Sequence, residues 1–187
     1  MINYFPKSFY KFCLVFFAVF FFFFLGFKLV YGIATPGGTY SPFVEKYFNL
    51  ASWVRHSLMN GTKFFVSLLN IKTIIESEYV LRAESGSGIK LIYGCLGIGV
   101  FSFWAAYSIA TITSIKNKLK WLFFGLTVLW ILNILRLGLV LIASVHNWKF
   151  PFGIDHHTWF NIVAYTFILV MIYFFERNIK ATTNKNL

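Results

Sequence analysis

The sequence predicts an all-α integral membrane protein with about four transmembrane helices, an extracytoplasmic amphipathic helix and a small β-hairpin. Three observations carry that prediction. Of 187 residues, 58% are hydrophobic and only 12% charged, about half the charged fraction of an ordinary soluble domain. A mean hydropathy of +0.70 is more apolar surface than one small globule buries, so lipid must act as part of the solvent. The basic residues, finally, cluster beside the apolar runs rather than along a stripe. The whole chain, 1–187, reads as a single membrane domain: a first transmembrane helix at 12–32, an extracytoplasmic segment at 35–94 and a three-helix core at 95–177.

The net charge of +11 invites a nucleic-acid reading, but the placement of the charges argues against one. Lys7 and Lys11 precede the first run, Lys116, Lys118 and Lys120 lie between two later runs, and Arg177, Lys180 and Lys185 follow the last. Such flanks face the cytoplasm beside anionic headgroups. The expected partner is therefore the lipid bilayer, in a cell membrane, with both termini cytoplasmic and no nucleic acid bound.

The first run, Phe12 to about Gly32, contains Phe20-Phe21-Phe22-Phe23-Phe24-Leu25 and reaches the ~20 apolar residues a crossing requires. It is longer than a signal-peptide core, and Ala34-Thr35-Pro36 makes a poor cleavage site, so a retained helix is expected. Pro36-Gly37-Gly38 ends it, and Pro42 opens the next segment. Phe43 to Met59 carries Phe43, Tyr47, Leu50, Trp53, Val54 and Leu58 at helical spacing among Glu45, Lys46, Arg55 and His56, the pattern of an amphipathic helix on a membrane surface. Phe64 to Ile75 is apolar but short and is not expected to span. Tyr79-Leu81-Ala83 and Ile89-Leu91-Tyr93 alternate around Ser85-Gly86-Ser87-Gly88, which predicts a β-hairpin leading into Gly94-Cys95. Three more spans follow, at Cys95 to Ile115, Trp121 to about Asn147, and Thr158 to Phe175.

Depth decides where the polar residues fall. From Cys95 to Lys116 a helix rises ~32 Å, matching a hydrocarbon core of ~30 Å, so Cys95 belongs at the outer boundary. Arg136 lies ~24 Å beyond the inner surface, and His157 ~30 Å from Arg177. Three helices would thus carry a thiol, a guanidinium and an imidazole to one level. A thiolate in the first turn of a helix is favoured by unpaired N–H groups and by a nearby cation. Arg136 is that cation, costly inside a membrane and permanently charged, and it is also suited to an oxyanion. His157 has the intrinsic pKa to protonate a leaving amine and later to activate a nucleophile. The set fits acyl transfer through a thioester. Asn133, three residues before Arg136, shares its helix face and is expected to bond the guanidinium or a substrate carbonyl. Each residue also has a structural reading: Cys95 as a small buried hydrophobe, Arg136 as a helix-interface anchor, and Asp155-His156-His157 as a polar helix start. Cys13, near the inner end of the first helix, is read as structural. No Cys/His spacing resembles a zinc site, and no metal or cofactor is expected.

At these residues the chain resembles the exosortase/archaeosortase family, and most closely its short F-type exosortases. Cys95-Leu96-Gly97-Ile98 matches that family's Cys followed by a residue, Gly and an aliphatic. Asn133-Ile134-Leu135-Arg136-Leu137 matches its Asn-x-x-Arg-aliphatic, and His156-His157-Thr158-Trp159-Phe160-Asn161 stands where the family has His-x-x-x-Gly. The Gly is replaced by Phe160 or Asn161. His157 is the preferred partner, since Asn161 is the smaller substitute, with His156 beside it. The resemblance covers about Tyr79 to Tyr173. It implies a membrane cysteine transpeptidase or protease acting on membrane-anchored precursor proteins with a C-terminal sorting signal, at the outer face of the membrane. The rival from another class is a non-enzymatic membrane assembly or export factor.

Overall fold

A computed structural model of the chain describes residues 7–148 and 156–184. Among these the chain is mostly helical, in the order α1 (Lys7–Ala34), α2 (Pro42–Phe48), α3 (Leu50–Ser67), β1 (Thr73–Ser77), β2 (Val80–Ala83), β3 (Gly88–Lys90), a 3₁₀ turn (Tyr93–Leu96), α4 (Ile98–Ala110), α5 (Ile115–Val145) and α6 (His156–Asn184). Three helices are long and apolar enough to cross a membrane, over Lys7–Ala34, Ile115–Val145 and Thr158–Ala181. The run expected as a span from Cys95 to Ile115 holds only a 13-residue helix, α4. At ~1.5 Å per residue it is ~20 Å long, and Thr111 leaves it in an extended conformation.

Phenylalanine spacing builds α1. Phe12, Phe16, Phe20 and Phe24 recur every fourth residue, which puts them on one helix face. Their rings stack in series at 6.0, 6.2 and 5.6 Å. The same face meets α4, with Phe12 edge-on to Tyr107 and Phe16 edge-on to Phe103. Aromatic pairs of this kind add about 0.5–1.5 kcal/mol each beyond the area they bury. The other faces of α1 leave Leu14, Phe17, Phe22 and Leu29 exposed, surface that requires lipid rather than water.

The segment between α1 and α4 departs from the predicted pattern in two ways. The amphipathic stretch is two helices, because Asn49 breaks it and caps α3 by accepting from the Ser52 N–H at 3.0 Å. The hairpin is part of a three-stranded antiparallel sheet in the order β1-β2-β3. Its extra strand pairs Thr73 with Ala83 and Ile75 with Leu81, and slips between Ile75 and Ser77. The buried residues Leu81, Ala83 and Ile89 of the sheet, and Leu91 just after it, pack with Ala51, Leu58, Met59 and Val66 of α3 and with Leu137, Leu141 and Ile142 of α5. Arg55, expected on a surface face, is 1% exposed and sits on the packed side of α3.

Glycines set the closest helix approaches. A β-carbon on Gly138 of α5 would overlap the Phe65 ring of α3, and one on Gly61 of α3 would overlap Ile134 of α5. At the other end of α5, Trp104 of α4 lies against Gly125 and donates its indole N–H to the Trp121 carbonyl at 3.0 Å. Around it, Leu129, Ile168, Met171 and Phe175 form a second core joining α4, α5 and α6. Lys118 donates to the Ile109 carbonyl at 2.6 Å, satisfying an orphan acceptor at the end of α4.

These approaches predict opposite outcomes for two glycine substitutions. Gly125→Ala forces the Trp104 indole out of place and destabilises the protein by about 1–3 kcal/mol. Gly26→Ala, where an added β-carbon meets nothing within 4 Å, is neutral or stabilising by up to about 1 kcal/mol. Thermal unfolding in detergent measures both.

Candidate functional site

Cys95 sits one step earlier than expected. It belongs to the 3₁₀ turn Tyr93–Leu96, not to the first turn of α4, and its N–H donates to the Ile92 carbonyl at 2.9 Å. The turn ends at Gly97, which adopts φ 73° and ψ 18° and serves as the N-cap of α4. That left-handed conformation costs a residue with a β-carbon roughly 1–2 kcal/mol, so Gly97 has a backbone reason to be glycine. It has a second reason in packing. A β-carbon at Gly97 would lie 3.2 Å from Asn133 Nδ2.

Asn133 uses that access. Its Nδ2 donates to the Cys95 carbonyl at 3.1 Å, a main-chain partner that neither the expected guanidinium bond nor the expected substrate carbonyl had named. The bond joins the turn to α5 in the interior, since Asn133 is 1% exposed and Cys95 7%. The Asn133 Oδ1 has no hydrogen-bond partner among the described residues. One turn further along α5, Arg136 is 7% exposed, and its guanidinium carbon lies 4.5 Å from the centre of the Phe160 ring of α6. A desolvated cation over an aromatic face gains about 2 kcal/mol.

A cavity of about 280 Å³ opens beside this arrangement. Arg136 lines it together with Gly94, Gly97, Ile98 and Gly99 from the turn and the start of α4, and Phe24 of α1 and Phe160, Asn161 and Tyr165 of α6 border it as well. At the start of α4 the Val100 and Phe101 N–H groups donate to the Gly97 carbonyl at 3.1 Å, while Ile98 and Gly99 stand ahead of any intrahelical acceptor. Cys95 itself does not line the cavity; its side chain packs with the upper core, while both flanking glycines border the open space. Gly94 and Gly99 would accept a β-carbon without overlap.

Tyr93 is the residue that sequence reasoning passed over. It had been read only as a strand position, yet it lines the cavity and packs at 4.7 Å on the Tyr31 ring. Its hydroxyl is buried with no partner among the described residues. Its strand-like context hid this role, since the turn that redirects it depends on Gly97.

His156 and His157 open α6, but their side chains, like all of Asp155, lie outside the described residues. Cys13 and Cys95 are both free thiols. Among the described residues, no three His, Cys, Asp or Glu side chains come together to hold a metal ion.

The Gly97–Asn133 contact predicts non-additive energetics. Gly97→Ala costs about 1–3 kcal/mol through its backbone, and Asn133→Ala about 1–2 kcal/mol through the lost bond. Because both act on the same contact, the double substitution costs less than their sum by at least about 0.5 kcal/mol in a double-mutant unfolding cycle.

No protein-family model matches the chain, and no curated protein or solved structure does so either.

Proposed function

We propose that the chain is a membrane cysteine transpeptidase or protease, of the kind its motifs resemble, that removes the C-terminal anchor of exported precursors at the outer face of the membrane. One observation supports this above the others: two motifs far apart in sequence meet in a single buried contact. The Cys95 turn is bonded to Asn133, and Arg136 and the glycines flanking Cys95 border one cavity. A purely structural cation has no need of a cavity bordered by the glycines on either side of the thiol-bearing residue.

In this reading the 3₁₀ turn and α4 make a fourth crossing. Together they rise about 27 Å at ~2.0 and ~1.5 Å per residue, close to the ~30 Å hydrocarbon thickness. Both termini then lie in the cytoplasm, α2, α3 and the sheet lie outside, and the cavity sits just beneath the outer headgroups.

The chemistry runs as follows. A precursor peptide enters the cavity, and rotation of the Cys95 side chain brings the thiol into it from its packed position. The sulfur attacks the scissile carbonyl, with its proton taken by His157. The tetrahedral oxyanion is held by Arg136 and by the Ile98 and Gly99 N–H groups at the start of α4. Collapse breaks the C–N bond, His157 protonates the leaving amine, and a thioester remains on Cys95. An acceptor amine or water then attacks the thioester, giving its proton to His157 and releasing the thiol. His156 supports or substitutes for His157 in this scheme, and Asn133 holds the Cys95 carbonyl.

The test is precursor processing in cells expressing candidate tail-anchored proteins, each with a short motif, an apolar helix and a basic end. Cys95→Ala abolishes processing. Arg136→Ala slows it by about 10²–10³-fold, and His157→Ala leaves the unprocessed form dominant. Full processing with Cys95→Ala would overturn the enzymatic reading and favour a non-enzymatic assembly or export factor.

A further inference from the structure

Among the described residues two charged side chains are buried, Arg136 and Arg55, and the scheme above uses only the first. Arg55 lies on the apolar face of α3, alongside Ala51, Leu58, Met59 and Val66. Packing alone would be served there by another Leu or Met, and a buried guanidinium is costly unless it is held. It is held at two points. Its Nη1 donates to Glu78 Oε1 at 2.6 Å, and its guanidinium carbon lies 4.0 Å from the centre of the Tyr79 ring. Only a flat cation can grip a carboxylate and a ring at once; a lysine can pair with the acid but not stack in the same way.

Glu78 and Tyr79 form the link between β1 and β2, and the Tyr79 carbonyl accepts the Leu91 N–H at 2.8 Å. Leu91 is fully buried and follows β3. Beyond it, the Ile92 carbonyl accepts the Cys95 N–H at 2.9 Å. From guanidinium to thiol-bearing residue, every step is a covalent bond, a ring contact or a hydrogen bond. We infer that Arg55 is a positioning residue for Cys95, seating the 3₁₀ turn from the outer side through Glu78, Tyr79 and Leu91, while Asn133 seats it from the core. The inference rests on the enzymatic reading for its functional meaning but not for its test.

That test is the alkylation rate of Cys95 by N-ethylmaleimide, measured in the full-length protein in detergent with Cys13→Ser as background. The native turn reacts slowly. Arg55→Met keeps the side-chain length and removes both grips, and the rate rises by about tenfold through local opening. Arg55→Lys restores the ion pair and returns the rate to within about threefold of native. Glu78→Gln, at a half-exposed position, serves if Arg55→Met does not fold, and raises the rate severalfold. Gly125→Ala, which weakens the far core, leaves the rate unchanged despite a lower melting temperature. A native rate in Arg55→Met or Glu78→Gln, or an equal rise in Gly125→Ala, would overturn the inference. Should wild-type protein show no Cys95-dependent precursor processing, the enzymatic reading fails while the alkylation series still decides whether Arg55 seats the turn.

Discussion

The hydrogen bond from Asn133 Nδ2 to the Cys95 carbonyl is the constraint around which the rest is arranged. It forms because Gly97 takes a left-handed conformation and carries no β-carbon, so the side-chain amide reaches the turn. It is buried, and a buried amide left without this acceptor would cost about 1–3 kcal/mol. The bond therefore fixes the distance between the turn and α5, and with it the relation of Cys95 to everything α5 carries, Arg136 included. The glycine contacts Gly61–Ile134 and Gly138–Phe65 serve the same end, drawing α3 close enough to α5 for the sheet to close over the turn.

Two buried cations follow from that closure, and each is held by a different means. Arg136 rests against the face of Phe160, with the open cavity on one side. Arg55 is gripped between a carboxylate and a tyrosine ring. A buried cation is expensive unless it is held, at depth in a bilayer for Arg136 and within the packed α3–sheet layer for Arg55. Lipid covers the remainder, and the exposed apolar residues of α1 and α6 need no other explanation.

The large features were legible in the sequence because they depend on length alone. Twenty apolar residues around the six-residue Phe20–Leu25 run leave few alternatives to a crossing helix, and the runs in α5 and α6 are equally plain. The features that position the site were less so. The break at Asn49 does not interrupt the apolar spacing; it comes from a side chain turning back on its own backbone. The strand Thr73–Ser77 was hidden because its residues after Thr73 are all exposed, so it shows no alternation. Arg55 looked like a surface charge because its carboxylate partner is 23 residues away. The local conformation at Cys95 was not legible, since a positive φ at Gly97 converts an expected helix start into a 3₁₀ turn. The pairing of Asn133 with that turn depends on the same dihedral angle and is invisible until the chain is folded.

Covalent chemistry at the Cys95 sulfur is the central claim, and the most direct measurement is mass spectrometry of the protein isolated from cells making a processed precursor. The account predicts a hydroxylamine-labile acyl adduct on the peptide containing Cys95, accumulating when the acceptor step is slowed, with Cys13 unmodified. Processing that proceeds with no such adduct on Cys95, or with the adduct on Cys13, would contradict it.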